Sequence, residues 1–148
     1  VENQLLEFIV RAKTYVIRNN PVIAAAKVGS KEYYYEAGDY KYLLSMFGNK
    51  RMIGQEIVWY KQRPIWGMSY TSRKLTDIIP EGFDEFLTSA LLGVSVEKPF
   101  RGSEIYVREK FKYMCYSVGF ASYFDGKEMV LHSNKVIYEL IFSGGSIE

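Results

Sequence analysis

The stretch GQEIVWYKQRPIWGMSYTS at residues 54–72 has a near echo, GKEMVLHSNKVIYELIFSG, at residues 126–144. Adding 72 to the numbering aligns Gly54 with Gly126, Glu56 with Glu128, Val58 with Val130 and Ile65 with Ile137. Close substitutes stand between them: Arg63 and Lys135, Trp66 and Tyr138, Met68 and Leu140, Tyr70 and Phe142. Upstream, an offset of 71 pairs YKYL at 40–43 with FKYM at 111–114, so one residue is inserted before Gly126. Further back, EFI at 7–9 matches EFL at 85–87 at an offset of 78. Three matches in the same order predict an internal duplication. Its units span about residues 3–74 and 80–145 within a single domain, residues 1–148.

Each unit reads as one helix followed by three strands. Leu5, Phe8, Ile9 and Ala12 make one apolar helical stripe. Pro80 suits a first helical turn; Phe83, Phe86, Leu87, Ala90 and Leu91 share a face, and Gly93 is a stop. Strands are predicted over 33–47, 52–61 and 64–72, and again over 104–118, 121–132 and 136–143. The segment 18–30 reads as a short capped helix or a long loop. The expected fold class is α+β: two pseudo-repeated helix–three-strand units forming a curved, mainly antiparallel six-stranded sheet packed on helices. A turn at Gln62-Arg63 would set Trp59 opposite Trp66. Ile57, Trp59, Trp66, Met68 and Tyr70 then face the helices, as do Met129, Leu131, Tyr138, Leu140 and Phe142. Glu56, Val58, Tyr60, Ile65, Glu128, Val130, His132, Ile137 and Glu139 fall on a mixed second face.

The totals narrow the function classes. Hydrophobic residues make 48% and charged residues 24%, as in a soluble globular chain rather than a disordered one. Aromatics at 16% favour half-buried sheet surfaces. A net charge of +2 is too small to announce a nucleic-acid or anionic-membrane partner. The single Cys115 excludes an internal disulfide and any multi-cysteine metal site. No apolar stretch approaches the ~20 residues a membrane span needs. The N-terminal VENQLLEFIVRAK lacks a signal peptide's basic start, so a cytoplasmic location is expected.

The order AGDYKYLLSMFG at 37–48, IGQEIVWYKQRPIWGMSY at 53–70 and PFRGSEIYVREKFKYMCY at 99–116 resembles an uncharacterised bacterial domain-of-unknown-function family. That family is often found C-terminal to XRE-type helix-turn-helix regulators. The resemblance runs from Leu5 to Gly145 and carries over no catalytic or binding residues. It implies a role in regulation. Unlike the fused form, this sequence starts at the domain's own first helix, so a DNA-binding regulator would be a separate partner.

Chemistry is sparse. One histidine, His132, stands at a hairpin end with no second ligand or nucleophile at motif spacing. No phosphate-binding glycine loop is present, and neither a cofactor nor a metal site is expected. Glu56 and Glu128 are the strongest candidates, because paired carboxylates in one cleft can split their pKa values or bind a cation. The expected ligand-binding set is Glu56, Val58, Tyr60, Glu128, Val130, His132, Ile137 and Glu139, favouring an amine because no Lys or Arg is expected to face the carboxylates. The leading reading is a non-catalytic module sensing a small molecule or peptide, or contacting a partner protein. The alternative is an enzyme using Glu56 and Glu128, with Tyr60 or His132 assisting. A weak nucleic-acid binder using Lys50, Arg51, Arg73 and Lys74 comes third.

Overall fold

The structure, a computed structural model, describes residues 3–148; Val1 and Glu2 of the expected domain lie outside the described residues. Helix α1 (Asn3–Asn19) buries the expected stripe of Leu5, Phe8, Ile9 and Ala12, with Lys13 beside it. It stops where Asn20 turns left-handed at φ 50°, which asparagine tolerates better than most residues. Strand β1 (Val22–Ile23) and a loop follow, so residues 18–30 end one helix rather than form another. Strands β2 (Lys31–Ala37), β3 (Tyr40–Gly48), β4 (Arg51–Tyr60) and β5 (Arg63–Lys74) complete the first half. The second half holds α2 (Phe83–Leu91), β6 (Ile105–Arg108), β7 (Phe111–Phe120), β8 (Tyr123–His132) and β9 (Lys135–Ser146).

All strands form one antiparallel sheet in the order β1-β2-β3-β4-β5-β9-β8-β7-β6. The expected six-stranded α+β arrangement is overturned: the chain is mostly sheet, nine strands with two helices. Two of the extra strands come from tight turns that cut the long predicted strands. Gly38 (φ 60°) with Asp39 separates β2 from β3, and Glu109 (φ 56°) with Lys110 separates β6 from β7. The third extra strand is β1. No helix among the described residues is long and apolar enough to cross a membrane.

The halves meet at β5 and β9, where Tyr70 lies directly opposite Phe142. These two residues are each other's counterparts at the offset of 72, so a local two-fold relating the halves passes between them. Finer details repeat about this axis. Both β4–β5 and β8–β9 turn through two left-handed residues, Lys61-Gln62 and Ser133-Asn134, the geometry that suits a two-residue hairpin. A register shift follows each turn, between Val58 and Trp59 and between Val130 and Leu131. Gly54 and Gly126 leave room for the cross-strand rings of Tyr70 and Phe142, which a Cβ would meet at 2.3 Å. The inserted residue falls in the turn between Gly119 and Tyr123.

That register shift decides which side chains face the helices. Beyond it Val58 pairs with Trp66 and Glu56 with Met68, instead of Trp59 with Trp66. Because side chains alternate along a strand, one residue of slip moves a whole strand face. Trp66, Met68 and Tyr70 are buried as expected, but their partners are Glu56 and Val58. Ile57 and Trp59 turn to the other face. In the second half Glu128 and Val130 are buried with Tyr138, Leu140 and Phe142, while Met129 and Leu131 turn away. Trp66 is 0% exposed and donates its Nε1–H to the Ala121 carbonyl at 2.8 Å. Trp66→Ala should therefore destabilise by about 3–5 kcal/mol in urea unfolding, the usual cost of emptying a large aromatic site. Trp59→Ala, on the opposite face, should cost less than half of that. Equal losses would mean that both rings share the covered face.

Candidate functional site

Glu56 and Glu128 are 2% and 0% exposed, on the face of the sheet that the helices cover. A buried carboxylate is tolerated only with a counter-charge and hydrogen bonds. Glu56 takes both from the first half. The Lys13 ammonium donates to its Oε1 at 2.7 Å, and the Tyr42 hydroxyl donates to the same oxygen at 2.6 Å. Lys13 also donates to the Phe100 carbonyl at 2.8 Å and approaches the Met68 sulfur at 3.4 Å. Glu128 is held by the second half. Arg101 donates Nε and Nη2 to its two oxygens, each at 2.9 Å, in the bidentate geometry that guanidinium and carboxylate share. The Tyr113 and Tyr138 hydroxyls donate to it at 2.6 and 2.8 Å.

The two ion pairs form one electrostatic cluster. Lys13 is influenced by Arg101 and Glu128 as well as by its own partner, and Glu56 by Arg101. Burial pushes the Glu56 carboxyl up, but the Lys13 charge and hydrogen bond, with Tyr42, outweigh it and hold the group below its ordinary value. Burial lowers the Lys13 ammonium against the opposing pull of Glu56. Its set of three acceptors suits the protonated form, so the charged pair describes the site at neutral pH. Burial and then Glu56 raise Tyr42 and Tyr70, burial and then Glu128 raise Tyr138, and all three stay protonated donors. Burial pushes the Cys115 thiol up to about 11, with Glu128 adding to the effect, which keeps it an inert thiol.

Beside this cluster lies a cavity of about 490 Å³ between α1, α2 and strands β2, β3, β4, β5 and β9. Its inner end is formed by the buried Lys13, Glu56, Tyr42, Tyr70 and Tyr138, together with Arg101. Val16, Leu44, Met46, Met52, Phe83, Leu87, Leu91 and Val94 make apolar walls. Exposed Gly29, Lys31, Asn49 and Asp84 stand around the mouth.

Of the residues singled out in the sequence, Glu56 lines this cavity; Glu128 stands against Arg101, one of its lining residues. Val58 and Val130 are buried in the core of the covered face. Tyr60 packs on Tyr40 with ring centroids 4.8 Å apart, and His132 packs on Phe111 at 4.7 Å. Ile137 is buried beside the register shift of β9. Glu139 turns to the outer face, 2.7 Å from Arg73 and 3.2 Å from Lys127. Of the basic cluster, Lys50 pairs with Asp77 at 2.8 Å, and Lys74 lines the cavity. The expected preference for an amine rested on carboxylates that no cation faces. Lys13 and Arg101 face both, so that argument fails. Among the described residues, no group of three or more His, Cys, Asp or Glu could hold a metal ion.

Lys13, Arg101 and the tyrosines were missed by sequence reasoning. Lys13 left a trace, since it lies four residues after Ile9 and so falls on the apolar stripe of α1. Arg101 left none, because it comes from the irregular segment between α2 and β6.

Fold and site together define an antiparallel sheet protein with a helix-covered cavity and a charged cluster at its inner end. The chain belongs to the family described as Domain of unknown function (DUF5680), whose model matches residues 44–147. The matched span takes in Glu56, Arg101 and Glu128 and excludes Lys13. No curated protein and no solved structure matches the chain.

Two outcomes follow from the ion pairs. Arg101→Met leaves Glu128 buried without its cation and should cost about 3–5 kcal/mol in urea unfolding. Glu56, depressed below its ordinary 4.5, contributes stability above that pH and loses it as the pH falls through the lower folded value. The stability gap between wild type and Glu56→Gln should therefore shrink below pH 4.5 when both are unfolded in urea across that range. A gap that widens on acidification would reverse the assignment.

Proposed function

We propose that the protein is a non-catalytic small-molecule-binding module, the sensing part of a regulatory system in the bacterial cytoplasm. The cavity carries this reading. At about 490 Å³, with apolar walls and a few polar groups at one end, it matches small-molecule sites in size and character. The regulatory and bacterial setting rests on the resemblance to domains that follow helix-turn-helix modules.

Binding is favoured over catalysis by how the charged groups are committed. A general acid or base working near neutrality needs a carboxyl raised toward that pH, whereas Glu56 is held down. A nucleophilic lysine needs a lone pair aimed at the substrate, whereas Lys13 points its ammonium at Glu56, the Phe100 carbonyl and the Met68 sulfur. His132 packs at a tilt on Phe111 and does not line the cavity.

Thermal-shift measurement with a panel of metabolite-sized compounds tests the reading. A ligand at a hundred times its Kd stabilises by about 2.7 kcal/mol, which is readable as several degrees in Tm. Leu87→Trp, which sets an indole in the apolar wall, should abolish the shift. Compounds that stabilise Leu87→Trp as well as wild type would place binding elsewhere and sink the proposal.

A further inference from the structure

We infer that the cavity takes an amphipathic carboxylate, its head group held by Lys74 and Ser72 and its apolar chain or ring laid along the helix side. This inference rests on the cavity being a binding site and names the class of ligand. Its basis is an ammonium and a hydroxyl that the protein leaves uncommitted. Ser72 and Lys74 follow Trp66, Met68 and Tyr70 on the inward face of β5, so their side chains are neighbours on one wall of the cavity. Ser72 is 8% exposed and its side chain has no hydrogen-bond partner among the described residues. No fully buried side-chain oxygen of those residues goes without a partner, so this hydroxyl opens to the cavity. The Lys74 ammonium donates to the neutral Asn49 Oδ1 and lies 5.9 Å from the Phe83 ring centroid. It pairs with no carboxylate among the described residues, and an ammonium has three hydrogens to give.

The remaining charges along the cavity cancel. Lys13 is bonded to Glu56 and Arg101 to Glu128, so the inner end is neutral in sum. Exposed Lys31 and Asp84 at the mouth are hydrated and of opposite sign. Half-buried Lys74 is the charge left over, and a carboxylate cancels it while accepting from Lys74 and Ser72 together. An amine at the same place would set a second cation beside Lys74, and an amide would leave the charge unbalanced. Val16, Leu87 and Leu91 offer apolar contact to the rest of the molecule. The repeat sets these two side chains apart from the shared framework. At the offset of 72 their counterparts are Gly144 and Ser146, so the second half carries neither the hydroxyl nor the cation at those places.

Two matched trios test the inference by calorimetry at neutral pH: octanoate, octanamide and octylamine, and phenylacetate, phenylacetamide and phenethylamine. In at least one trio the acid should bind about tenfold or more tightly than its amide and its amine, a gap of roughly 1.4 kcal/mol. Lys74→Met keeps an apolar stem without the charge and should bring the acid down to the affinity of the amide, with the amide unchanged. Lys74→Gln, which keeps a donor but no charge, should show the same loss. Ser72→Ala should weaken the acid by about threefold or more, the worth of one hydrogen bond. Lys31→Met, at the hydrated mouth, should change it by less than about twofold. An amide or amine that binds wild type as tightly as its acid, or no acid binding at all, overturns the inference. So does acid binding undiminished in both Lys74 variants, or a loss in Lys31→Met as large as in Lys74→Met. Leu87→Trp separates the two levels of failure. If an amide or amine wins and Leu87→Trp abolishes its binding, the cavity stands as the site and the carboxylate class falls. If Leu87→Trp leaves acid binding unchanged, the cavity is not the site and both readings fall.

Discussion

Two carboxylates buried on the covered face of one sheet are the constraint around which this protein is arranged. Glu56 and Glu128 sit at inward positions of β4 and β8, where alternation leaves them no route to water. Each must be matched by a cation from outside the sheet. Lys13 comes from α1 and Arg101 from the segment after α2, so the requirement ties the covering layer to the strands at defined points. Apolar contacts between helix and sheet are non-directional and would tolerate sliding. A hydrogen-bonded ion pair does not, and a slip of either partner leaves a buried charge alone.

The same constraint guards the register. A slip of one residue in β4 would carry Glu56 to the outer face and bring Ile57 and Trp59 inward, stranding Lys13 among apolar groups. The tyrosines reinforce it from the neighbouring strands. Tyr42 and Tyr113 are counterparts at the offset of 71, and each donates a 2.6 Å hydrogen bond to the glutamate of its own half. A hydroxyl on a long rigid ring reaches the carboxylate from the adjacent strand, which a serine at that place could not do.

How much of this was legible in the sequence depends on the range of the signal. The apolar stripes of α1 and α2 are local and period-specific, and both helices lie where they were read. The repeat placed Glu56 and Glu128 at matching positions of β4 and β8, as the strands have them. What failed was the count and facing of strands. Alternation runs smoothly through Ala37-Gly38-Asp39-Tyr40, so the Gly-Asp turn signal was read as strand, and the copy at Glu109-Lys110 has no glycine to flag it. The facing error has a different cause. The register shift beside Ile65 and Ile137 leaves no residue-type signature, since an isoleucine fits a regular strand equally well. Arg101 was hidden because it comes from an irregular segment, and Lys13 showed only as a charge on an apolar stripe, since each reaches its glutamate from a segment remote in sequence.

The repeat also explains why the covered face is open beside Glu56 and filled at the counterpart positions beside Glu128. The two-fold pairs Tyr70 with Phe142 and Met52 with Phe124, and matching hairpin registers surround each pair. In the second half Phe124 and Phe142 close on Phe100, with ring centroids 4.2 and 6.1 Å from it, and Trp66 stacks on Phe124 at 5.7 Å. Four aromatic side chains occupy the space beside the register-equivalent positions, and the core there is filled. In the first half the counterparts are the thinner, flexible Met52 and the hydroxylated Tyr70, and both line the cavity. The glutamates and their tyrosines kept the framework alike on both sides of the axis, while the aromatic content of the counterpart positions changed. The covered face is therefore solid beside Phe124 and Phe142, while beside Met52 and Tyr70 it keeps an open volume whose inner end holds the Lys13–Glu56 pair.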